Sequence, residues 1–319
     1  MNDIAQLIKL KDYISRYDWN AYHYPSHFIR LKQENWKKQY EQWESSGAKN
    51  TNAEADNEQE DDISSIFSRW RAFISKNKSA EPKEKIEDVG SIQATEKELK
   101  QHFLNKLFPL QLKWASSTVR DESFLAEKYK EDGELKYFLQ RFPDTYLLMY
   151  YPVFSIQKAP VDGEIILISP IGIEIIHLIE AEPEAIIMAS DERTWIVNTR
   201  NDAKKILNPL IALKRTEQII SSIFRKNEID FPVHKSVVSK TNDLLFSSEP
   251  FQTSFIGQNE YENWFQEKRK LISPLKKRQL KVAEVLLHHC QTVSVKRPEW
   301  EAEDNLFPIG SENTDVYEE

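Results

Sequence analysis

The stretch Gly163–Ile179, GEIILISPIGIEIIHLI, decides how the rest of the chain is read. Two runs of branched apolar residues flank Ser169-Pro170-Ile171-Gly172. Each run has strand length, and the proline and glycine punctuate a turn between them. Both runs are rich in Ile, as β-strands are. Three polar side chains interrupt them: Glu164 opens the first strand, Glu174 breaks the second, and His177 sits where the second would reach into a cleft, two residues before Ile179.

Further runs rich in Ile, Val and Tyr surround this hairpin. TYLLMYYPVF (Thr145–Phe154), AIIMAS (Ala185–Ser190), TWIVN (Thr194–Asn198) and VHKSVVSKT (Val233–Thr241) all read as strands. A helix is expected over Asp121–Phe142, and a long amphipathic one from Asp202 to Lys226 with Leu213, Ile220 and Phe224 on one side. Helix, strands, helix and strand in that order predict an α/β core over residues 120–245, with a central mixed sheet.

The flanks differ in texture. Residues 44–62 carry seven acids and one lysine, and read as an acidic linker. Residues 1–43 before it form a helical segment with Trp36, Tyr40 and Trp43 at helical spacing. Residues 63–119 read as a helical extension: Ile63, Ile66, Phe67, Trp70, Phe73 and Ile74 make a stripe, and residues 75–95 a polar linker. Thr95 and Glu98 form a capping box for a helix through Leu99, Phe103 and Leu107. A basic helical segment, 246–298, and an acidic tail, 299–319, complete the chain.

Composition narrows the classes. A net charge of −8 disfavours a general nucleic-acid coat protein. One cysteine, Cys290, allows no internal disulfide and suits a reducing compartment, so a cytoplasmic location is expected, with no membrane partner. Seven glycines leave no phosphate-binding glycine loop. His288-His289-Cys290 presents no chelating face, and Pro25 separates His23 from His27. Positive charge gathers in Glu267–Lys281, where Lys268, Arg269, Lys270, Lys276, Lys277, Arg278 and Lys281 make the best nucleic-acid footprint; a solvated helix face is the competing reading.

Several motifs recur in family order. They are Asp132-Gly133-Glu134, the Gly163–Ile179 hairpin, the tryptophan strand around Trp195, and Asn208-Pro209-Leu210 at a helix start. Over Glu122–Thr241 the chain resembles the nuclease-related domain family of the restriction-endonuclease-like PD-(D/E)xK fold. The resemblance implies an active site in which two carboxylates hold Mg²⁺ and a lysine steadies developing charge. On this chain the helix glutamate is kept as Glu134 and the aspartate becomes Glu164. The second acid becomes His177, the lysine Ile179, and the helix glutamine falls near Ala212. With the lysine lost, the implied protein is a catalytically silent binding module for DNA, or for a protein partner through the N-terminal aromatic helices. No cofactor is then expected. The alternatives are a scaffold and a divergent endonuclease using Mg²⁺ or Mn²⁺, with Glu164 and His177 as ligands and Asp162 as a substitute acid. Glu174 falls on the face opposite His177.

Overall fold

The computed structural model describes residues 4–49, 95–157, 159–200, 202–246, 249–271 and 273–297. The Ile63–Ile74 stripe, most of both expected linkers and the tail 299–319 lie outside these residues. Two compact units are present, Glu34–His102 and the remainder.

In the larger unit the strands are β1 (Gln6–Leu10), β2 (Asp121–Glu122), β3 (Leu147–Tyr150), β4 (Val153–Ile156), β5 (Ala159–Asp162), β6 (Ile165–Ile168) and β7 (Ile173–Leu178). They continue with β8 (Ile186–Met188), β9 (Thr194–Asn198), β10 (Ala203–Leu207), β11 (Val233–Val238), β12 (Asp243–Leu245), β13 (Thr253–Ile256) and β14 (Val295–Lys296). The chain's α-helices are α1 (Arg16–Trp19), α2 (His23–Lys49), α3 (Glu96–Trp114), α4 (Gly133–Arg141), α5 (Pro209–Lys226), α6 (Gln258–Lys270) and α7 (Lys277–His288). Among the described residues no helix is long and apolar enough to cross a membrane.

The chain is mixed α/β, and its centre is a six-stranded mixed sheet in the order β1-β3-β6-β7-β11-β13. The opening hairpin supplies its middle: β6 and β7 pair antiparallel, Ile165 opposite Ile176 and Ile168 opposite Ile173. Both strands are buried throughout their apolar runs, which is why they read as continuous hydrophobic stretches. One sheet face packs Ile165, Leu167 and Ile176 against Phe138, Phe142, Trp264 and Phe265. Helix α5 lies against β7 and β11, burying Leu213, Ile220 and Ile223. A second sheet, β10-β9-β8-β12, buries Trp195, whose indole N–H donates to the Ser190 carbonyl at 2.8 Å.

Four expectations are corrected. The N-terminal segment is not wholly helical: β1 joins the central sheet beside β3, wholly buried despite Gln6 and Lys9. Its polar side chains are satisfied by remote groups, the Gln6 amide by Asp144 O at 2.8 Å and the Lys9 ammonium by Tyr13 O at 2.8 Å. Helix α5 begins at Pro209, because Asn208 caps it through a bond from the Leu210 N–H, and residues 203–207 form β10 instead. The helix expected over Asp121–Phe142 reduces to α4, preceded by β2 and a short 3₁₀ turn. Helix α2 continues to Lys49, into the expected acidic linker.

In the smaller unit the aromatic stripe exists, with Trp36–Tyr40 and Tyr40–Trp43 ring centroids 5.8 and 5.5 Å apart. The Thr95–Glu98 capping box is also formed.

Candidate functional site

One edge of the central sheet gathers the chemistry. It comprises the end of β3, the start of β6, and the ends of β7 and β11. Gly163 places Glu164 there. A Cβ at Gly163 would meet the Phe154 ring at 2.9 Å and Pro152 O at 3.1 Å, so only glycine lets the chain pass into β6. The Glu164 N–H donates to Thr216 Oγ1 at 3.1 Å, which fixes the start of β6 to α5. Thr216 in turn donates to the Ala212 carbonyl, and that contact is what the structure puts at the expected glutamine position.

Glu164 and His177 meet: His177 Nδ1 lies 3.0 Å from Glu164 Oε2. The Glu164 side chain is 10% exposed and that of His177 28%. Beside a carboxylate, the neutral imidazole donates its Nδ1–H, which leaves Nε2 as an acceptor. A base oriented by a buried acid is the arrangement general-base catalysis needs.

Ile179 is half-buried, and its N–H extends the ladder to Val238 O at 3.0 Å. It is not the dry, packed residue that the silent reading implies. Val237 pairs with His177 in the parallel β7–β11 register, so Lys240 leaves β11 at this edge, and its N–H donates to Glu180 Oε1 at 2.7 Å. The Lys240 ammonium sits 3.6 Å above the Tyr137 ring centroid. Burial pushes its pKa below the ordinary lysine value, against the pull of Glu134 and Glu180.

Glu134, in the first turn of α4, is exposed. Desolvation at its carboxylate and then repulsion from Asp132 raise its pKa. Asp132 caps α4 and accepts from the Tyr150 hydroxyl at 3.1 Å. Tyr151 links the two groups of acids: burial raises its hydroxyl pKa, and Glu134, Glu164 and Asp132 raise it further. Its φ of +46° is uncommon for a non-glycine residue, the kind of local strain that clusters at working sites.

Tyr151 and Lys240 had no sequence signal of their own. Register was the only route to Lys240, by counting from His177 across to the neighbouring strand.

The donor set does not fit a metal. Among the described residues no group of three His, Cys, Asp or Glu could hold an ion. The Glu164–His177 pair is closed on itself by its hydrogen bond. Asp162, the substitute acid, is exposed on β5 in a separate hairpin, opposite Val153.

The basic segment lies at the opposite sheet edge and is split between two helices. Lys268 Nζ is 2.6 Å from Glu174 near the start of β7. Arg278 donates to Asp230 O, and Lys281 pairs with Glu284 at 2.8 Å. The Arg269 guanidinium lies 5.6 Å from the Phe265 ring centroid. Lys270, Lys276 and Lys277 are exposed. Lys204 and Lys205, which the helix expected from Asp202 would carry, are on β10.

No family model matches the chain, and no solved structure matches it. The chain is similar to the RNA 2′,3′-cyclic phosphodiesterase of Geobacillus stearothermophilus, at 36% identity over 113 residues. The match covers 34% of this chain and 36% of that protein, so the chain spans about a third of the length of the curated relative it matches. Similarity to a named phosphodiesterase overturns the expectation of a catalytically silent, nuclease-related binding module.

Proposed function

We propose that the chain is a phosphodiester-cleaving enzyme acting on the 2′,3′-cyclic phosphate end of RNA, with His177 as general base and Glu164 as its orienting acid. The observation that carries this reading is the 3.0 Å His177–Glu164 contact, with the imidazole partly open to solvent. The phosphodiesterase relative supplies the substrate class.

His177 Nε2 takes a proton from water as the water oxygen bonds to phosphorus. The bond from phosphorus to the 2′ or 3′ oxygen breaks, and the departing oxygen takes a proton from the Lys240 ammonium. Burial lowers the Lys240 pKa, which favours giving up that proton. Its charge also faces the negative phosphate in a partly dry setting, where electrostatic stabilisation is strongest. The product is a ribose phosphomonoester, and both protons return through solvent.

The finer fold reading, a restriction-endonuclease-like core, belongs to this proposal. Its support is the β6–β7 hairpin beside parallel β11, with the acidic residues at one sheet edge. A cytoplasmic location suits an RNA substrate and a single cysteine.

The test is a short oligoribonucleotide ending in a 2′,3′-cyclic phosphate, incubated in EDTA and resolved by chromatography. Ring opening by the wild-type chain is expected, with His177→Ala slower by about 100-fold or more. No turnover by the folded wild type, or equal turnover by the variant, would sink the reading.

A further inference from the structure

A cavity away from the Glu164–His177 pair carries an inference of its own. It has a volume of about 220 Å³ where the end of α3 meets the β2–β14 ribbon, and Lys113, Ser116, Ser117, Glu122, Ser123 and Arg297 are among its lining residues. That is far more room than a single water needs.

Among its described lining residues two cations, Lys113 and Arg297, accompany one acid, Glu122. Among the described residues the buried Arg297 Nε–H has no hydrogen-bond partner. The Glu122 Oε2 paired with it is 3.7 Å away, too far to accept a bond. Arg16 lies close by: its Nε donates to Ser117 O at 3.3 Å, and its guanidinium lies 5.5 Å from the Trp114 ring centroid. Burial lowers the Arg16 pKa and Arg297 lowers it further, so two cations repel each other across this wall. A buried, unfilled guanidinium donor is costly unless an anion takes it. The serine hydroxyls have spent their protons on the Leu112, Lys113 and Val293 carbonyls, at 2.8, 2.7 and 2.6 Å. Toward the cavity they can offer lone pairs, which accept from a ligand's own hydroxyls.

We propose that this cavity binds a ribose phosphomonoester, with the phosphate on Arg297 and Lys113 and sugar hydroxyls on Ser116 and Ser117. A guanidinium fork matches phosphate oxygens in pairs, and the hydroxyl acceptors select a sugar over a bare anion. The same chemistry occurs on a free nucleotide and on a phosphorylated RNA end.

Calorimetric titration of the full chain with AMP, a 3′-phosphorylated dinucleotide, inorganic phosphate and adenosine tests this. AMP or the dinucleotide is expected to bind at least tenfold more tightly than inorganic phosphate, with adenosine silent. Tighter binding of AMP identifies the free nucleotide as the source, and tighter binding of the dinucleotide the RNA end. Arg297→Gln is expected to weaken binding at least tenfold. Glu122→Gln removes the opposing acid and is expected to tighten it severalfold, which keeps the test decisive if the arginine variant does not fold. His177→Ala is expected to bind as the wild type does, separating this cavity from the cleft. Failure of every phosphate probe, loss of binding in His177→Ala, or unchanged binding in folded Arg297→Gln and in Glu122→Gln would overturn the proposal.

Discussion

Glu164 and Glu174 belong to one hairpin, both are nearly buried, and they do opposite things. Glu174 is saturated: its oxygens take the Ser236 hydroxyl at 2.6 Å, the Trp264 indole N–H at 2.9 Å and the Lys268 ammonium at 2.6 Å. Among the described residues the Glu164 carboxylate has one hydrogen-bond partner, the imidazole of His177, which can itself gain or lose a proton. The first arrangement locks β7, β11 and α6 together, because each partner holds the charge and none can leave cheaply. The second keeps a proton acceptor oriented and reachable. An acid's partners, more than its burial, separate a structural carboxylate from a chemical one.

Breaking each pair should show the difference. Glu174→Ala leaves the Lys268 charge and the Trp264 donor without an acceptor. A loss of about 3 kcal/mol in urea unfolding is expected, with turnover per folded molecule unchanged. A full loss of turnover in the folded fraction would make the saturated edge part of the chemistry. Glu164→Gln should do the reverse. Ring opening falls by about tenfold or more, since the imidazole loses the group that holds its tautomer, while the unfolding midpoint moves little.

Lys240→Met is a smaller, two-sided test. Burial lowers the Lys240 pKa, so folding disfavours its charge, and the stability linked to this group rises as pH climbs through its folded pKa. The methionine variant should be no less stable than wild type at neutral pH, and slower in ring opening. Lys240→Arg, which stays charged, should remove the loss of wild-type stabilisation seen as pH falls through that pKa. Charge reversal at the far edge, Lys276→Glu with Lys277→Glu, should have the least effect. Turnover of a dinucleotide cyclic phosphate is expected to stay within about twofold, whereas a large drop would mean the two edges share a substrate.

How much of this was legible depends on where each residue finds its partners. The hairpin could be read because Ile165–Ile168 and Ile173–Ile176 are buried on both faces, and burial on both faces writes apolar runs, here broken only by Glu174. The Glu164–His177 meeting was also legible, since both lie on that hairpin. Strand β1 was not, because Gln6 and Lys9 read as surface residues until Asp144 and Thr292 are brought to them from far along the chain. Strand β10 was lost to the helix pattern that follows, with exposed Lys204 and Lys205 masking its pairing to β9. Lys240 reads as an ordinary solvent lysine in sequence, and only the stacking of Tyr137 from α4 makes it a partly desolvated cation.

The stitching of β1 also has a consequence for biosynthesis. Strand β1 precedes its partners along the chain: its ladder partner is β3, and the Lys9 ammonium finds Thr292 Oγ1 at 3.2 Å. Val293 then closes onto Asp12 O at 2.7 Å. Until β3 is made β1 has no ladder partner, and the Lys9 charge, held locally by Tyr13 O, makes it a poor template for pairing with another strand. The bond to Thr292 can form only once that residue exists, and a chain truncated before Thr292 would leave it unmade.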